Sequence, residues 1–304
     1  MFVPFISVPS EKRLKKLYRR KGGGGGGRGS SSGGKSGGSS GSSGGSGGAG
    51  AGRSTPISAG GTSRSATPYG FGGGRPSTIP AGQPFAGRES GGGTRNQIYG
   101  NQQYGSGYPG VAGRGVSGLG FPFVFWPLAF GGIGGLGTAA YLHNSEYGRP
   151  NNSSRPGGPL STATFFSSSD GTTYRLLSDN STVVSLLDDI KTACSSNLNG
   201  SSSSAPSPYQ DSFSALPQPE QTIQYYRASS VALSLDGYNN TSVFEAEGTP
   251  DVPLPVNIDR TLLECLNSTI GASVPLVGGV PGLSAPNLSI LGLLWMFWTL
   301  SSLI

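Results

Sequence analysis

The chain has 304 residues, of which 54 are Gly and 23 are Pro, and only 34% are hydrophobic. This composition excludes two full domains, because most of the Gly-rich half cannot bury enough apolar surface to offset its chain entropy. Residues 1–150 carry a net charge of +13 and residues 151–304 a net charge of −7. The basic half indicates affinity for anions such as nucleic acid, acidic lipid or acidic glycans, and the acidic half is typical of a folded domain.

Residues 1–21 are a basic N-terminal segment. Met1 to Ser10 are largely apolar but lack the positive n-region that precedes the apolar core of a signal peptide. We therefore hypothesise that the native start lies upstream of Met1, and an upstream in-frame start encoding an apolar leader would support this. The run from Glu11 to Lys21 has three interpretations: a nuclear-localisation or nucleic-acid patch, a processing site, or a solvated flank.

Residues 22–115 are predicted to be a disordered Gly/Ser-rich arm. Between Gly22 and Gly50, all residues except three are Gly or Ser, which is typical of a flexible tether. Arginines recur along the rest of the arm, at Arg53, Arg64, Arg75, Arg88, Arg95 and Arg114. The arm is therefore expected to contact anionic cell-wall glycans or a membrane surface. An RGG-like nucleic-acid-binding function is less favoured, because no RGG triplet occurs.

Residues 116–145 are an apolar Gly-rich segment without Asp, Glu, Lys or Arg until Glu146. Its centre, 119–142, is long enough to span a bilayer, and Gly131 and Gly135 form a G-x-x-x-G pair. Pro122 and Pro127 interrupt a helix here. Two interpretations stay open: a single transmembrane span, or an apolar segment packed on the domain or on partners.

Residues 151–275 are predicted to be a small glycosylated domain. Ser161–Ser168 and Thr172–Ser178 flank an Asp-Gly turn and predict a β-hairpin. Ser181 is placed to cap a helix, and its apolar face is formed by Val183, Leu187, Ile190 and Cys194.

A second helix is predicted from Pro219 to a C-cap at Gly237, with a strand over Ser230–Leu235 as the alternative. A third is predicted over Asp259–Ile270, ended by Gly271. The predicted fold class is thus a mostly disordered N-terminal half followed by a small α+β or mainly helical domain with one disulfide.

Cys194 and Cys265 are the only cysteines. Both lie on apolar helical faces, so they would form either one disulfide in an oxidising compartment or two buried thiols in the cytosol. The glycosylation motifs that surround them favour the disulfide.

N-x-[ST] motifs begin at eight of the ten Asn residues after position 150, and at none before it. The density of these motifs indicates a domain that matures in the secretory lumen. The candidate glycosylation sites are Asn151, Asn152, Asn180, Asn199, Asn239, Asn240 and Asn267, with Asn287 in the segment expected to be removed.

The residues of the chain do not predict catalysis or metal binding. His143 is the only His, which leaves a nucleophilic triad with one badly placed base, and two Cys with one His are too scattered for zinc. Asp188 and Asp189 are adjacent on a predicted helix and are interpreted as its solvated face. We therefore expect no enzyme and no cofactor.

Residues 276–304 combine an uncharged spacer with an apolar run from Ser289 to Ile304. Small residues, a spacer and an apolar tail are the form of a GPI attachment signal. The candidate attachment residues are Gly278, Gly271 and Ser273.

Several segments of the chain resemble fungal Gly/Ser-rich, GPI-anchored surface glycoproteins. The resemblance covers roughly residues 22–280, and one of its segments is QYYRASSVALSLDGYN at 224–239. The others are Gly87–Tyr99, Gly105–Gly110, Phe121–Trp126 and Ser153–Gly158. The resemblance implies secretion and attachment to the wall or membrane, and it supplies no catalytic residue. In layout only, the chain is also similar to the prion and Shadoo proteins.

The sequence therefore predicts a non-enzymatic, GPI-anchored cell-surface or cell-wall glycoprotein that reaches the outer leaflet or the wall through the secretory pathway. The first alternative is a single-pass membrane protein that spans at 119–142. The second is an RGG-like nucleic-acid-binding protein.

Overall fold

A computed structural model describes residues 53–131, 137–143 and 145–278. The basic N-terminal segment, the first part of the arm and the apolar tail with Asn287 lie outside the described residues. The described chain contains two α-helices, α1 (Asn180–Ala193) and α2 (Arg260–Ser273). Its strands are β1 (Thr55–Ala59), β2 (Thr62–Thr67), β3 (Ser77–Thr78), β4 (Glu89–Ser90), β5 (Leu160–Phe166), β6 (Thr173–Asp179), β7 (Ser207–Pro208), β8 (Thr222–Tyr226), β9 (Val231–Leu235) and β10 (Leu276–Val277).

The largest sheet has five antiparallel strands in the order β7-β5-β6-β9-β8. All five residues of β9 are buried, as expected for a strand covered on both faces. Helix α1 follows β6 directly and packs on β5, β6 and α2 through an apolar stripe that includes Val183, Leu186 and Ile190. We call the five strands and two helices the sheet-and-helix layer.

The predicted β-hairpin and two of the three predicted helices are confirmed. Strands β5 and β6 pair in register, with Phe165 opposite Tyr174. Helix α1 is capped by Asp179 rather than by the predicted Ser181, since the Asp179 Oδ1 accepts from the Thr182 amide at 3.0 Å. Helix α2 continues past Gly271 to Ser273.

The predicted helix from Pro219 to Gly237 is wrong. Residues 222–226 and 231–235 form the antiparallel strands β8 and β9, as the strand alternative proposed for the second half. The β-branched and aromatic residues of β8 favour a strand, and three successive left-handed residues, Arg227, Ala228 and Ser229, turn the chain back. The helical spacing of apolar residues in this stretch was coincidental. Both strands are buried, so their apolar residues do not show the alternation with polar residues that identifies a strand.

A three-stranded sheet, β1-β2-β10, joins the two ends of the described chain. Strand β10 pairs with β2, placing Leu276 opposite Thr67 and Val277 opposite Ala66. Residues 68–131, which we call the Gly-rich wrap, connect β2 to the rest of the fold and carry only the two-residue strands β3 and β4 and a short 3-10 helix at Arg95–Gln97.

The Gly-rich wrap supplies a large part of the hydrophobic core. Its buried aromatic side chains are Tyr104, Tyr108, Phe121, Phe123, Phe125, Trp126 and Phe130. They belong to the same hydrophobic cluster as the sheet-and-helix layer. The predicted fold class is therefore wrong for the described residues, which are mainly β and structured from β1 onward. The Gly count concealed this, because the buried aromatics, five of which lie within residues 121–130, bury enough surface to order the irregular chain around them.

The apolar segment expected at 116–145 has an irregular backbone over 119–131, where Leu128 is fully buried. No helix among the described residues is both long and apolar enough to cross a membrane.

Candidate functional site

The disulfide between Cys194 and Cys265 joins the two helices. Cys194 directly follows α1 and is fully buried, Cys265 lies on α2, and their Cα atoms are 5.8 Å apart. The bond confirms the predicted pairing. It closes a loop with a sequence separation of 71, for which the chain-entropy estimate is about 4 kcal/mol.

The candidate glycosylation sites differ in exposure. Asn151, Asn199 and Asn239 are exposed, so a glycan on their side-chain nitrogens would extend into solvent. Asn240 is fully buried, and its Nδ2 donates to the Asp251 carboxylate at 2.9 Å. Of the overlapping pair, Asn239 is therefore the residue whose amide is available in the folded domain.

Three further candidate asparagines are half-buried. The Asn152 Oδ1 accepts from the Ser154 amide, and the Asn180 Nδ2 donates to the Ser161 hydroxyl at 3.0 Å. The Asn267 Oδ1 accepts from the Tyr226 hydroxyl. A glycan on Asn180 would displace a hydrogen bond between α1 and β5.

The three candidate attachment residues lie in different surroundings. Gly271 is buried in α2, where an added Cβ would collide with the Tyr99 ring, and Ser273 is buried at the end of the same helix. Gly278, the last described residue, has open space around the position of a Cβ.

Cleavage at Gly271 or Ser273 would remove β10 and two buried carbonyl acceptors. The Val274 carbonyl accepts from Arg95 at 2.8 Å, and the Pro275 carbonyl accepts from Arg227 at 2.9 Å. Cleavage after Gly278 keeps both acceptors and the strand.

A groove of about 920 Å³ lies beside Gly278. It is lined by Thr62, Ser63, Arg64, Ser65, Thr67, Gly74, Arg75, Gly91, Gly92, Gly93, Pro122, Phe123, Val124, Phe125, Val277 and Gly278. The lining therefore combines hydroxyl groups, two arginines and an apolar floor, and it contains no Asp or Glu. We call Arg64 and Arg75 the groove arginines.

The groove arginines differ from Arg88, Arg95 and Arg114 of the predicted arm, which are held by ion pairs or main-chain hydrogen bonds. Arg75 is exposed, while Arg64 is half-buried and donates to the Ser77 hydroxyl at 3.1 Å. Elsewhere in the arm, Arg53 and Arg88 form ion pairs, and several main-chain carbonyls accept from Arg95 and Arg114. Arg88, Arg95 and Arg114 are therefore engaged within the fold, whereas Arg53 is exposed and its ion pair lies at the surface.

The sequence did not predict a buried ion pair between Arg227 and Asp179, which lies at the centre of the fold. The Arg227 Nη2 donates to the Asp179 Oδ2 at 2.6 Å, and its guanidinium lies 3.4 Å from the centroid of the Phe125 ring. Burial lowers the pKa of Arg227 to about 10, and Asp179 opposes the shift. The pair links α1, the β8–β9 turn and the Gly-rich wrap.

The β8–β9 turn is buried and strained. Arg227, Ala228 and Ser229 have φ values of +49°, +50° and +59°, which cost on the order of 1–3 kcal/mol each. Hydrogen bonds from the surrounding chain hold the turn in this conformation. The Ser229 carbonyl accepts from the Leu128 amide at 2.8 Å, and the Ser229 hydroxyl accepts from the Gly105 amide at 2.9 Å. The available sequence signal was a single charged residue, Arg227, between the largely apolar stretches TIQYY and VALSL.

A smaller cavity of about 230 Å³ is lined in part by Arg155. This buried guanidinium donates to the carbonyls of Tyr147, Trp126 and Pro127. Burial lowers the pKa of Arg155 to about 10. The side chain fastens the Gly-rich wrap by main-chain hydrogen bonds and has no ion-pair partner within the described ranges.

The described residues contain no group of three or more His, Cys, Asp or Glu side chains that could hold a metal. Asp188 forms an ion pair with Arg53, whereas burial raises the pKa of its neighbour Asp189. The expectation that the chain is not an enzyme stays a prediction.

Comparison with protein-family models, curated proteins and solved structures finds no significant match. The resemblance to fungal surface glycoproteins therefore stays a prediction.

Proposed function

We propose that this chain is a non-enzymatic cell-surface or cell-wall glycoprotein that is attached by a GPI lipid at Gly278. The observation that carries this proposal is the position of Gly278. It directly follows β10, the last strand among the described residues, and a Cβ at this position would have open space around it. Among the three candidates, it alone keeps β10 and the Val274 and Pro275 carbonyls in the mature domain.

Maturation through the secretory pathway is supported by two further observations. Cys194 and Cys265 form a disulfide, which persists in oxidising compartments. Asn151, Asn199 and Asn239 present exposed amides within glycosylation motifs.

The two alternatives are less well supported by the packing. A span at 119–142 would place in lipid the side chains of Phe121 and Leu128, which are buried in the domain core. An RGG-like nucleic-acid-binding function needs accessible arginines, whereas Arg88, Arg95 and Arg114 are engaged within the fold.

The proposal is tested by mass spectrometry of the full chain after expression in a eukaryotic secretory host. We expect a C-terminal peptide that ends at Gly278 with a phosphoethanolamine-linked glycan, a mass decrease on deglycosylation, and no free thiol. Gly278→Phe should reduce surface display at least about tenfold, because attachment requires a small residue.

Gly171→Phe is the matched control, since Gly171 also has open space around its Cβ position and lies in an exposed turn. It should leave surface display unchanged. Recovery of a mature chain that retains Ile304, with bare asparagines and two free thiols, would contradict the proposal.

A further inference from the structure

The groove beside Gly278 has the chemistry of an anion-binding site for a hydroxylated ligand. Arg64 and Arg75 provide the positive charge, and Thr62, which lies two residues from Arg64 and therefore on the same face of β2, provides a hydroxyl group. No carboxylate among the lining residues competes for the guanidinium groups. Arginine presents a planar set of donors that matches carboxylate and phosphate oxygens.

The positive charge is local to the groove. Residues 53–278 carry twelve Lys and Arg and fourteen Asp and Glu, which gives this part of the chain a net charge of −2. The affinity of the groove for an anionic ligand therefore depends on the placement of the groove arginines and not on a general excess of basic residues.

The walls of the groove are held in place by the fold. Strand β2 is paired on both sides, by β1 and by β10. On the opposite wall, the Gly93 amide donates to the Pro122 carbonyl, and a Cβ at Gly93 would lie 2.7 Å from the Phe123 ring. A preformed site of this kind loses little conformational entropy when a ligand binds.

We propose that the groove binds an anionic sugar chain. The carboxylates or phosphates of the sugar chain contact Arg64 and Arg75, and one of its hydroxyl groups contacts the Thr62 side chain on the same face of β2. The volume of about 920 Å³ accommodates a short oligosaccharide rather than a single ion.

Two sources would supply such a chain. One is an acidic polymer of the wall, and this source does not depend on the proposed anchor. The other is the phosphoglycan of the anchor itself, which rests on the proposed function and would begin at Gly278 on the groove lining. A tethered glycan has a high effective concentration at a site beside its attachment point.

The test is isothermal titration calorimetry of the detergent-solubilised full chain with oligogalacturonate as the probe. We expect saturable binding that weakens at least about tenfold in Arg75→Gln and further in Arg64→Gln/Arg75→Gln, because each variant loses a charge-assisted hydrogen bond. Thr62→Tyr keeps both arginines but narrows the groove on the face of β2 that carries Arg64, and it should weaken binding as well. Neutral oligomannose of equal length should not bind.

Arg53→Gln is the matched control, because Arg53 is exposed, belongs to the same predicted arm and does not line the groove. It should bind the probe as the native chain does. Equal weakening in Arg53→Gln, full affinity in the double variant, or equal binding of oligomannose would overturn the proposal.

A variant that lacks Ser289–Ile304 distinguishes the two sources. It keeps every described residue but loses the apolar tail of the attachment signal. If the anchor glycan occupies the groove, this variant should bind oligogalacturonate at least about tenfold more tightly than the anchored chain. Equal affinity assigns the groove to an external acidic polymer, and absence of binding in both forms overturns the groove site. Release of the native chain from the membrane by a GPI-specific phospholipase tests independently whether the anchor is present.

Discussion

The sheet-and-helix layer and the Gly-rich wrap are two parts of one hydrophobic core that are built by different means. In the layer, strand pairing and helix packing bring apolar side chains together, as in the β5–β6 hairpin. In the wrap, few residues belong to strands, and contacts between aromatic rings bring the side chains together. The rings of Phe121 and Tyr147 pack against each other and against Phe85. Tyr147 lies beyond residue 131 but packs on the wrap. The comparison shows that a glycine-rich chain can share a core without regular secondary structure.

Removal of the Asp179 carboxylate should produce the largest loss of stability. Asp179→Ala leaves the buried Arg227 without its counter-ion, and we expect the free energy of unfolding to fall by about 3–5 kcal/mol. The pair bridges the layer and the wrap, so both regions should unfold together. The measurement is urea unfolding followed by far-UV circular dichroism and by aromatic fluorescence.

Two controls separate the contributions of Asp179. Asp179→Asn retains an oxygen that accepts from the Thr182 amide but removes the charge, so it isolates the ion pair from the helix cap. Asp188→Ala removes an exposed partner of Arg53 and should cost about 0–1 kcal/mol. A loss below about 1 kcal/mol in Asp179→Ala would contradict the central role of the pair.

Truncation of a buried aromatic in the wrap tests whether this region belongs to the core. Phe121 is 1% exposed, and Phe121→Ala should cost about 3–4 kcal/mol, within the range of buried Phe truncations. Phe71 lies in the same Gly-rich wrap but is 82% exposed, so Phe71→Ala should change stability by less than about 0.5 kcal/mol. Thermal or urea unfolding measures both. Similar small effects in the two variants would show that the wrap unfolds independently of the layer.

The smallest of the expected effects is the change in stability caused by Tyr147→Phe, and this change depends on pH. The Tyr147 hydroxyl donates to the Val116 carbonyl at 2.7 Å, so the variant should be about 1 kcal/mol less stable at pH 7. Burial raises the pKa of Tyr147 from its ordinary value near 10 to about 12. Between pH 10 and 12, the unfolded chain releases this proton while the folded chain keeps it, so native stability falls as pH rises.

The native chain should therefore lose about 2–3 kcal/mol relative to Tyr147→Phe across that window, and the order of stability should reverse. Urea unfolding of both proteins from pH 7 to 11.5 measures the difference, and their comparison cancels the titration of all other groups. A constant difference would show that Tyr147 is not desolvated in the folded chain.

The parts of the layer with an unambiguous local pattern could be predicted from the sequence. The Asp-Gly turn located the β5–β6 hairpin, and apolar spacing located α1 and α2 together with the faces that carry Cys194 and Cys265. The segment at 222–235 was misread because a strand buried on both faces has no alternation to distinguish it from a helix.

The groove and the structured wrap could not be predicted because they depend on residues distant in sequence. The lining of the groove brings Arg64 and Arg75 together with glycines 91–93 and the apolar residues 122–125, and no local period connects these segments. The Arg227–Asp179 contact spans 48 positions. Gly-rich composition predicted disorder, whereas the side chains between the glycines determined the outcome.

The pairing of β10 with β2 has a consequence for folding during synthesis. Because Leu276 and Val277 pair with residues near position 67, the first sheet of the domain cannot be completed until almost all of the described chain has emerged from the ribosome. The hairpin of β1 and β2 must wait with one unpaired edge while about 200 further residues are made. At about 5–20 residues per second, this wait lasts on the order of ten seconds or more, a period in which chaperones would have access to the exposed edge.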